Sequence, residues 1–424
     1  MIFIKQLFHS TLARNFLTYS IGALFLKGVS FFLLPLYTRV LTPAEYGSLD
    51  LLSSFSGILD IVLSLGLAQV MFVEFYHKDA EERRRLLNQL LSVYLTISTV
   101  LYLTVFVVMC FCGQYLFPEI KLLLVGIVML TTYLTFFQTL LVLILKLSTQ
   151  AIHVTVIQVA FGVLAVVLNV VFVYNLRTGI SGIIWAGFIA MLLSTFYGFF
   201  LFKQRVKNFI FSFNKKSFVE FLRLGLPFIP NALALWMMNS ANRWILLNYT
   251  QLEQVGFYSV AFKFSSLFDP LLIQPFLSSY APKMLRQFSK GDFRQPIVKY
   301  SIGFILFFVV MGFGLKFLAA AMIDENYYPS LKMIPVMTTG LGFSLIAQVS
   351  ATILVYKKKV GKMLLCILIG SGVSILANFI LTPRFGAIGS AYGTLSGNFV
   401  WMIALIFLAR KERQSLETEK DNIN

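Results

Sequence analysis

A chain of 424 residues, 58% hydrophobic and 12% charged, is excluded from the soluble globular class, in which about 25% of residues are charged. The formal net charge of +17 raises nucleic acid as a partner, but the cations sit in short segments between long apolar runs. They are therefore topological, with anionic-lipid contact as a consequence and no nucleic acid implied. The sequence reads as an all-α integral membrane protein from end to end.

Spanning runs are predicted over about 16–36, 48–73, 87–112, 121–145, 152–175, 180–202, 220–247, 256–281, 300–322, 330–355, 361–382 and 387–409, twelve in all. With both termini on one side, 26 of the 35 Lys and Arg fall on that side, five on the other and four within spans, a skew that makes both termini cytoplasmic. Residues 1–15 carry Lys5 and Arg14 and read as an interfacial amphipathic lead-in without the shape of a signal peptide. Lys27 lies about twelve residues into span one, roughly 18 Å deep, where it either snorkels or faces a wet cavity; the depth favours the cavity.

Span one ends near Pro35, with Arg39 beyond it, and a turn follows at Thr42-Pro43-Ala44-Glu45-Tyr46-Gly47, with Gly47 opening the second helix. That helix carries Asp50 near the outer face and Asp60 about four turns in, near the middle of a bilayer, where a charge is costly and functional by default. Gln138 is the notable polar residue of spans three and four and reads as interhelical glue.

An internal repeat organises the rest. An offset of 209 residues carries Gly47 onto Gly256, Ser56 onto Ser265, Asp60 onto Asp269 and Asn169 onto Asn378. Each copy is read as ending an apolar helix at an arginine, Arg39 or Arg243, before its turn, and an R-x-G-x-x-G pattern closes both halves, at Arg177 to Gly182 and Arg384 to Gly389. Six spans separate equivalent points, so the repeats run parallel. The fold expected is twelve transmembrane helices in two parallel-repeat six-helix lobes around a central cationic cavity. Its parts are an N-lobe over 1–203, a basic cytoplasmic linker over 204–218, a C-lobe over 219–410 and a polar, disordered tail over 411–424.

Span seven opens with Pro227 and Pro230, which break the helix ladder, and carries Asn231, Asn239, Asn242 and Arg243 as a polar stripe. Span eight adds Lys263, Asp269-Pro270 and Gln274-Pro275. Lys27, Arg243 and Lys263 outweigh Asp60 and Asp269, so a cavity built from spans one, two, seven and eight favours an anionic, phosphate-bearing cargo. The substrate-binding candidates are Lys27, Arg243, Lys263, Asn231 and Asn239. Asp60 and Asp269 are ion-coupling candidates, or else cap kinked helices or pair with Lys27 and Lys263. The conformational positions are Pro35, Gly47, Pro227, Pro230, Gly256 and Pro270.

Enzyme chemistry has little to work with. His9, His77 and His153 lie on different segments, there is no H-E-x-x-H or G-x-x-x-x-G-K-[ST] motif, and Cys110, Cys112 and Cys366 lie in apolar surroundings as packing residues. No metal and no cofactor is expected, and transport is the better reading.

The stretch Leu34-Pro35-Leu36-Tyr37-Thr38-Arg39-Val40-Leu41-Thr42-Pro43-Ala44-Glu45-Tyr46-Gly47 resembles the polysaccharide-transport family of oligosaccharide flippases, in the multidrug/oligosaccharidyl-lipid/polysaccharide exporter superfamily. The resemblance implies a bacterial inner-membrane flippase that moves undecaprenyl-pyrophosphate-linked repeat units for O-antigen or capsule assembly, by rocking of two lobes coupled to a proton or sodium gradient. Lys27 and Arg243 then correspond in type to the cationic residues expected in the lumen. The implied partners are the lipid-linked oligosaccharide, membrane lipid and polysaccharide assembly proteins. Alternatives are a multidrug-type cation exporter, disfavoured by the cationic interior, and a polytopic polymerase or glycosyltransferase, disfavoured by short loops. A lipid-II-type flippase is a close neighbour for which more than twelve spans are expected.

Overall fold

The structure is a computed structural model and describes residues 22, 25–26, 28–66, 70–71, 80–147, 150–205, 211–293, 295 and 300–421. Lys27, His9, His77 and the lead-in lie outside these residues. Among the described residues the chain is helical and has no strand. In chain order the helices are α1 (Gly28–Val40), α2 (Pro43–Ser64), α3 (Ala80–Leu116), α4 (Leu122–Leu147), α5 (Ala151–Asn169) and α6 (Gly179–Arg205). They are followed by α7 (Lys215–Tyr249), α8 (Leu252–Ser265), α9 (Gln274–Ser289), α10 (Ser301–Met322), α11 (Ile334–Tyr356), α12 (Val360–Phe385) and α13 (Ala387–Asp421). Ten helices among the described residues are long and apolar enough to cross a membrane, and the chain is a multi-pass membrane protein.

Two of the twelve expected spans are absent from those ten, for different reasons. Span one is represented by α1, too short by itself in the described residues. Span eight is interrupted: α8 ends at Ser265, a turn follows, and a π-helical segment at Asp269–Ile273 precedes α9. Pro270 lies in that segment, where its missing N–H fits a distorted ladder. Span seven is distorted in the same way, with a 3₁₀ turn at Leu226–Phe228 around Pro227 and a π-helical turn at Met237–Ala241 around Asn239.

Several boundaries differ from expectation. Pro35 does not end span one: it lies within α1, which turns at Leu33, where the proline's missing N–H interrupts the ladder, and continues to Val40. Helix α2 starts four residues before Gly47. Thr42 Oγ1 accepts from the Glu45 N–H at 3.3 Å and Glu45 Oε2 accepts from the Thr42 N–H at 2.8 Å, a capping box with Pro43 in the first turn. The same helix stops at Ser64, short of 73, where a turn at Leu65 and Gly66 packs on Gly225. Residues 411–421 of the expected disordered tail are instead the end of α13, where Glu412 is gripped by Lys357, Lys359 and Lys362 at 3.3, 2.6 and 2.8 Å.

The chain divides into two compact units, Met1–Val40 with Leu52–Ala232, and Leu41–Leu51 with Leu233–Asn424. In the first, Gln138 on α4 donates to Ser194 on α6 at 2.8 Å, as expected of membrane glue. In the second, α12 and α13 form a hairpin along a seam of small residues, Gly389, Gly393 and Gly397 lying against Leu381, Asn378 and Ser374 so closely that an added methyl would collide. The R-x-G-x-x-G pattern thereby acquires a cause. Gly179 and Gly386, its first glycines, take φ of 60° and 62° and turn one helix back on the last, a conformation that a side chain disfavours. Its second glycines, Gly182 and Gly389, pack against the preceding segment.

In the second unit, α2 and α8 cross at Gly47 and Gly256, the two positions the repeat equates. A Cβ on Gly256 would strike the Pro43 carbonyl oxygen, and one on Gly47 the Leu252 carbonyl oxygen. Both obstacles are backbone, so Gly256→Ala is expected to destabilise by about 1–3 kcal/mol through overpacking, while Gly187→Ala, with nothing within 4 Å of the new methyl, is expected to be neutral. Thermal unfolding of the two variants in detergent checks this.

Candidate functional site

A largely buried polar cluster of the second unit lies beside that glycine crossing. Asp50 is one turn beyond Gly47 on α2, and Ser259 is one turn beyond Gly256 on α8. Ser259 Oγ donates to Asp50 Oδ2 at 2.6 Å, so residues related by the 209-residue offset touch each other a second time. Arg243 on α7 completes the site, its Nε donating to the same Asp50 oxygen and its Nη1 to the Asn239 carbonyl at 2.5 Å.

The arginine side chain is 5% exposed and the aspartate 21%, so both charges are largely out of solvent and each depends on the other. Aromatic faces fill the remaining space: the Arg243 guanidinium carbon lies 4.5 Å from the Phe262 ring centre and 5.6 Å from that of Tyr258, within cation–π range. Tyr258 continues the network, because Asn242 Nδ2 donates to its hydroxyl and, at 2.8 Å, to Thr394 on α13. The π-helical turn at Met237–Ala241 ends just before Asn242 and Arg243, which places both inside this network.

The candidates named from sequence are distributed unevenly. Arg243 and Asn239 join this cluster, where Arg243 is paired with Asp50. Asn231 is exposed and belongs to the first unit, as do Pro227 and Pro230. Lys263 is half-buried in the last turn of α8. Asp269 opens the π-helical segment and accepts from Gln274 Nε2 at 3.1 Å, whereas Asp60 is exposed on α2 in the first unit. Arg243 is also not at a helix end as Arg39 is: α7 continues to Tyr249, so by the offset Arg243 corresponds to Leu34 and Arg39 to Asn248.

Asn169 and Asn378, the other repeated pair, do the same work in their own units. Each donates its side-chain amide to the carbonyl four residues back, at 2.7 and 2.8 Å, and accepts a hydroxyl hydrogen, from Tyr37 at 2.9 Å and Ser390 at 2.6 Å. Outside the apolar layer, Tyr327 is fully buried and donates to the Leu41 carbonyl at 3.0 Å. Burial pushes its phenol above the usual range, with Glu45 and Asp324 adding to the effect, so it remains a protonated donor. No group of three or more His, Cys, Asp or Glu that could hold a metal occurs among the described residues.

Residues 12–287 match the model of a family described as polysaccharide biosynthesis protein. The chain belongs to that family. No curated protein matches it. In fold, this polysaccharide biosynthesis family member is similar to an inward-facing multidrug resistance MATE family transporter of the MOP superfamily, with 14% identity, 93% of this chain and 95% of that chain covered, and a TM-score of 0.74. It is also similar to the lipid II flippase MurJ in an inward closed conformation, with 16% identity, 94% and 90% covered, and a TM-score of 0.73. The fold is therefore MATE- and MurJ-like, and these neighbours are transporters and flippases, not enzymes.

Sequence reading missed the centre of this cluster. Asp50 was placed near the outer face and Ser259 was not singled out, although both lie three residues past the repeated glycines and share one helix face with them. An Arg243→Met or Asp50→Leu substitution alone leaves a buried charge unpaired and is expected to cost about 3–5 kcal/mol. The double variant is expected to recover at least half of that, and a double-mutant cycle on thermal unfolding measures it.

Proposed function

We propose that the protein is a flippase for lipid-linked oligosaccharides, moving undecaprenyl-pyrophosphate-linked repeat units across the bacterial inner membrane for O-antigen or capsular polysaccharide assembly. The observation that supports this most directly is a conjunction: a polysaccharide biosynthesis family match joined to a MurJ-like fold over 94% of the chain. In this proposal the chain forms twelve spans in two six-helix lobes, bounded as 1–203 and 219–410, with both termini cytoplasmic, and works by alternating access. The self-contacts of Gly47 with Gly256 and Asp50 with Ser259 support such a duplication.

Lys27 and Lys263 would meet the pyrophosphate, with Asn231 and Asn239 contributing hydrogen bonds. Arg243 enters with its charge already balanced by Asp50, so its contribution is geometric. Asp60 and Asp269 would couple transport to a proton or sodium gradient. A second reading, export of organic cations, is favoured by the MATE likeness, and the two predict opposite ligands.

Titration of purified protein with an undecaprenyl-pyrophosphate oligosaccharide is expected to stabilise it by about 2.7 kcal/mol at a hundredfold excess over Kd. That stabilisation should vanish in Lys27→Ala/Lys263→Ala, and proteoliposomes should translocate the same lipid. Stabilisation by a hydrophobic organic cation alone would replace the flippase reading with the export one.

A further inference from the structure

The stretch Leu41–Leu51 is an island in the division of the chain. The residues before it, to Val40, and after it, from Leu52, belong to the first unit, while the stretch itself packs in the second. Its far end falls inside α2, which runs unbroken from Pro43 to Ser64, so the first turns of one helix are committed to one unit and the remaining turns to the other.

Both ends of the stretch are joints. At its start the chain leaves helical geometry at Leu41 and Thr42, directly after α1. Just past its end the sequence reads Ser53-Ser54-Phe55-Ser56-Gly57, and Ser56 Oγ donates to the Leu52 carbonyl at 3.0 Å. Hydroxyls that bond back along a helix loosen its ladder, and serine with glycine is where helices bend. Between the joints the stretch holds its own shape, because the Thr42 and Glu45 capping box closes its first turn without help from the second unit.

Three short-range contacts hold it down. At one end the Leu41 carbonyl accepts from the Tyr327 hydroxyl at 3.0 Å, and Tyr46 meets the Tyr327 ring edge-on with centroids 6.1 Å apart. In the middle lies the Gly47 and Gly256 crossing, backbone against backbone. At the other end Asp50 accepts from Ser259 and Arg243. Between membrane helices apolar burial drives association weakly, lipid tails being as apolar as leucine, so close packing and hydrogen bonds are what remain. Both are lost within an ångström or two of separation. Carried on one stiff piece of helix, the three contacts form and break together.

The ion pair is built to part on this side. Asp50 is the more exposed partner, and Arg243 keeps the Asn239 carbonyl and the faces of Phe262 and Tyr258 when the carboxylate withdraws. We propose that Leu41–Leu51 is a releasable strap, docked on α8 and Tyr327 in this structure and detached from them as one piece in another state of the protein. The motion does not depend on the identity of the cargo, and the measurement that decides it involves none.

That measurement loosens the strap at one end and reads it at the other. Ser259→Cys places a thiol where the native side chain is 2% exposed and in contact with Asp50, and native Cys366 on α12, 5% exposed, is the internal control. The full chain in detergent is treated with N-ethylmaleimide, and modification at each position is followed over time by mass spectrometry. Adding Tyr327→Phe keeps the ring and its contact with Phe257 but leaves the Leu41 carbonyl unpaired. Labelling at position 259 is then expected to speed up about tenfold, with the rate at Cys366 unchanged. An unchanged rate at position 259 overturns the proposal, and so does equal acceleration at Cys366, which reports general loosening of the fold. Should Ser259→Cys fail to fold, Ser48→Cys, at a buried position of the strap itself, is read by the same criteria.

Discussion

A guanidinium that is 5% exposed cannot be left without a counter-charge, and the second unit is arranged around supplying one to Arg243. Asp50 comes from a segment almost two hundred residues away, on a helix that can approach only because two glycines lie at the crossing. The dependence has a direction. With side chains at position 47 or 256 the helix backbones would stand apart, Asp50 would withdraw from Arg243 and Ser259, and a buried charge would be exposed to apolar surroundings. Small-residue packing and ion pairing, usually treated as separate contributions, are here one constraint.

The π-helical distortion of α7 next to Arg243 follows from the same requirement. A regular helix presents a polar residue on the core face only at fixed intervals, and the π-helical turn at Met237–Ala241 shifts the register immediately before Asn242 and Arg243. The carbonyl of Asn239, inside that turn, accepts from Arg243, so the distortion supplies an acceptor as well as a register. At Asp269–Ile273 another π-helical turn surrounds Pro270, with the exposed Gln274 donating to Asp269 across it. Prolines mark two of the three irregular places, Pro227 and Pro270, which is why those were visible in the sequence. The turn around Asn239 holds no proline and was not.

Legibility in the sequence tracked the range of the interaction responsible. Helical class and most span limits are set by hydropathy over twenty residues and were readable. So were the structural roles of Gly47 and Gly256, Asn169 and Asn378, and the two R-x-G-x-x-G patterns, each of which has a local cause in a crossing, a back-bonded amide or a positive φ. The start of α2 is legible in principle, since Thr42 and Glu45 have the spacing of a capping box, and it is this cap and not Gly47 that sets it. What depends on distant partners was not readable. Glu412, in the helical end of α13, meets lysines some fifty residues earlier, and the state of Arg243 rests on Asp50.

That last point changes the electrostatic case for the cargo. Counting Lys27, Arg243 and Lys263 against Asp60 and Asp269 gave a positive surplus, but Asp50 belongs in the count because it shares one site with Arg243. Once the pair is removed as neutral, the preference for an anionic ligand rests on the two lysines against two aspartates, a balance decided by depth and pairing and not by number. For the proposed lipid-linked sugar, family membership then carries more of the weight than charge does. A pyrophosphate between that sugar and its lipid would be the one part of the cargo with a fixed charge, and therefore the part that lysines could grip whatever the sugar. Sugar selection would fall to neutral side chains, for which a single sequence carries no motif.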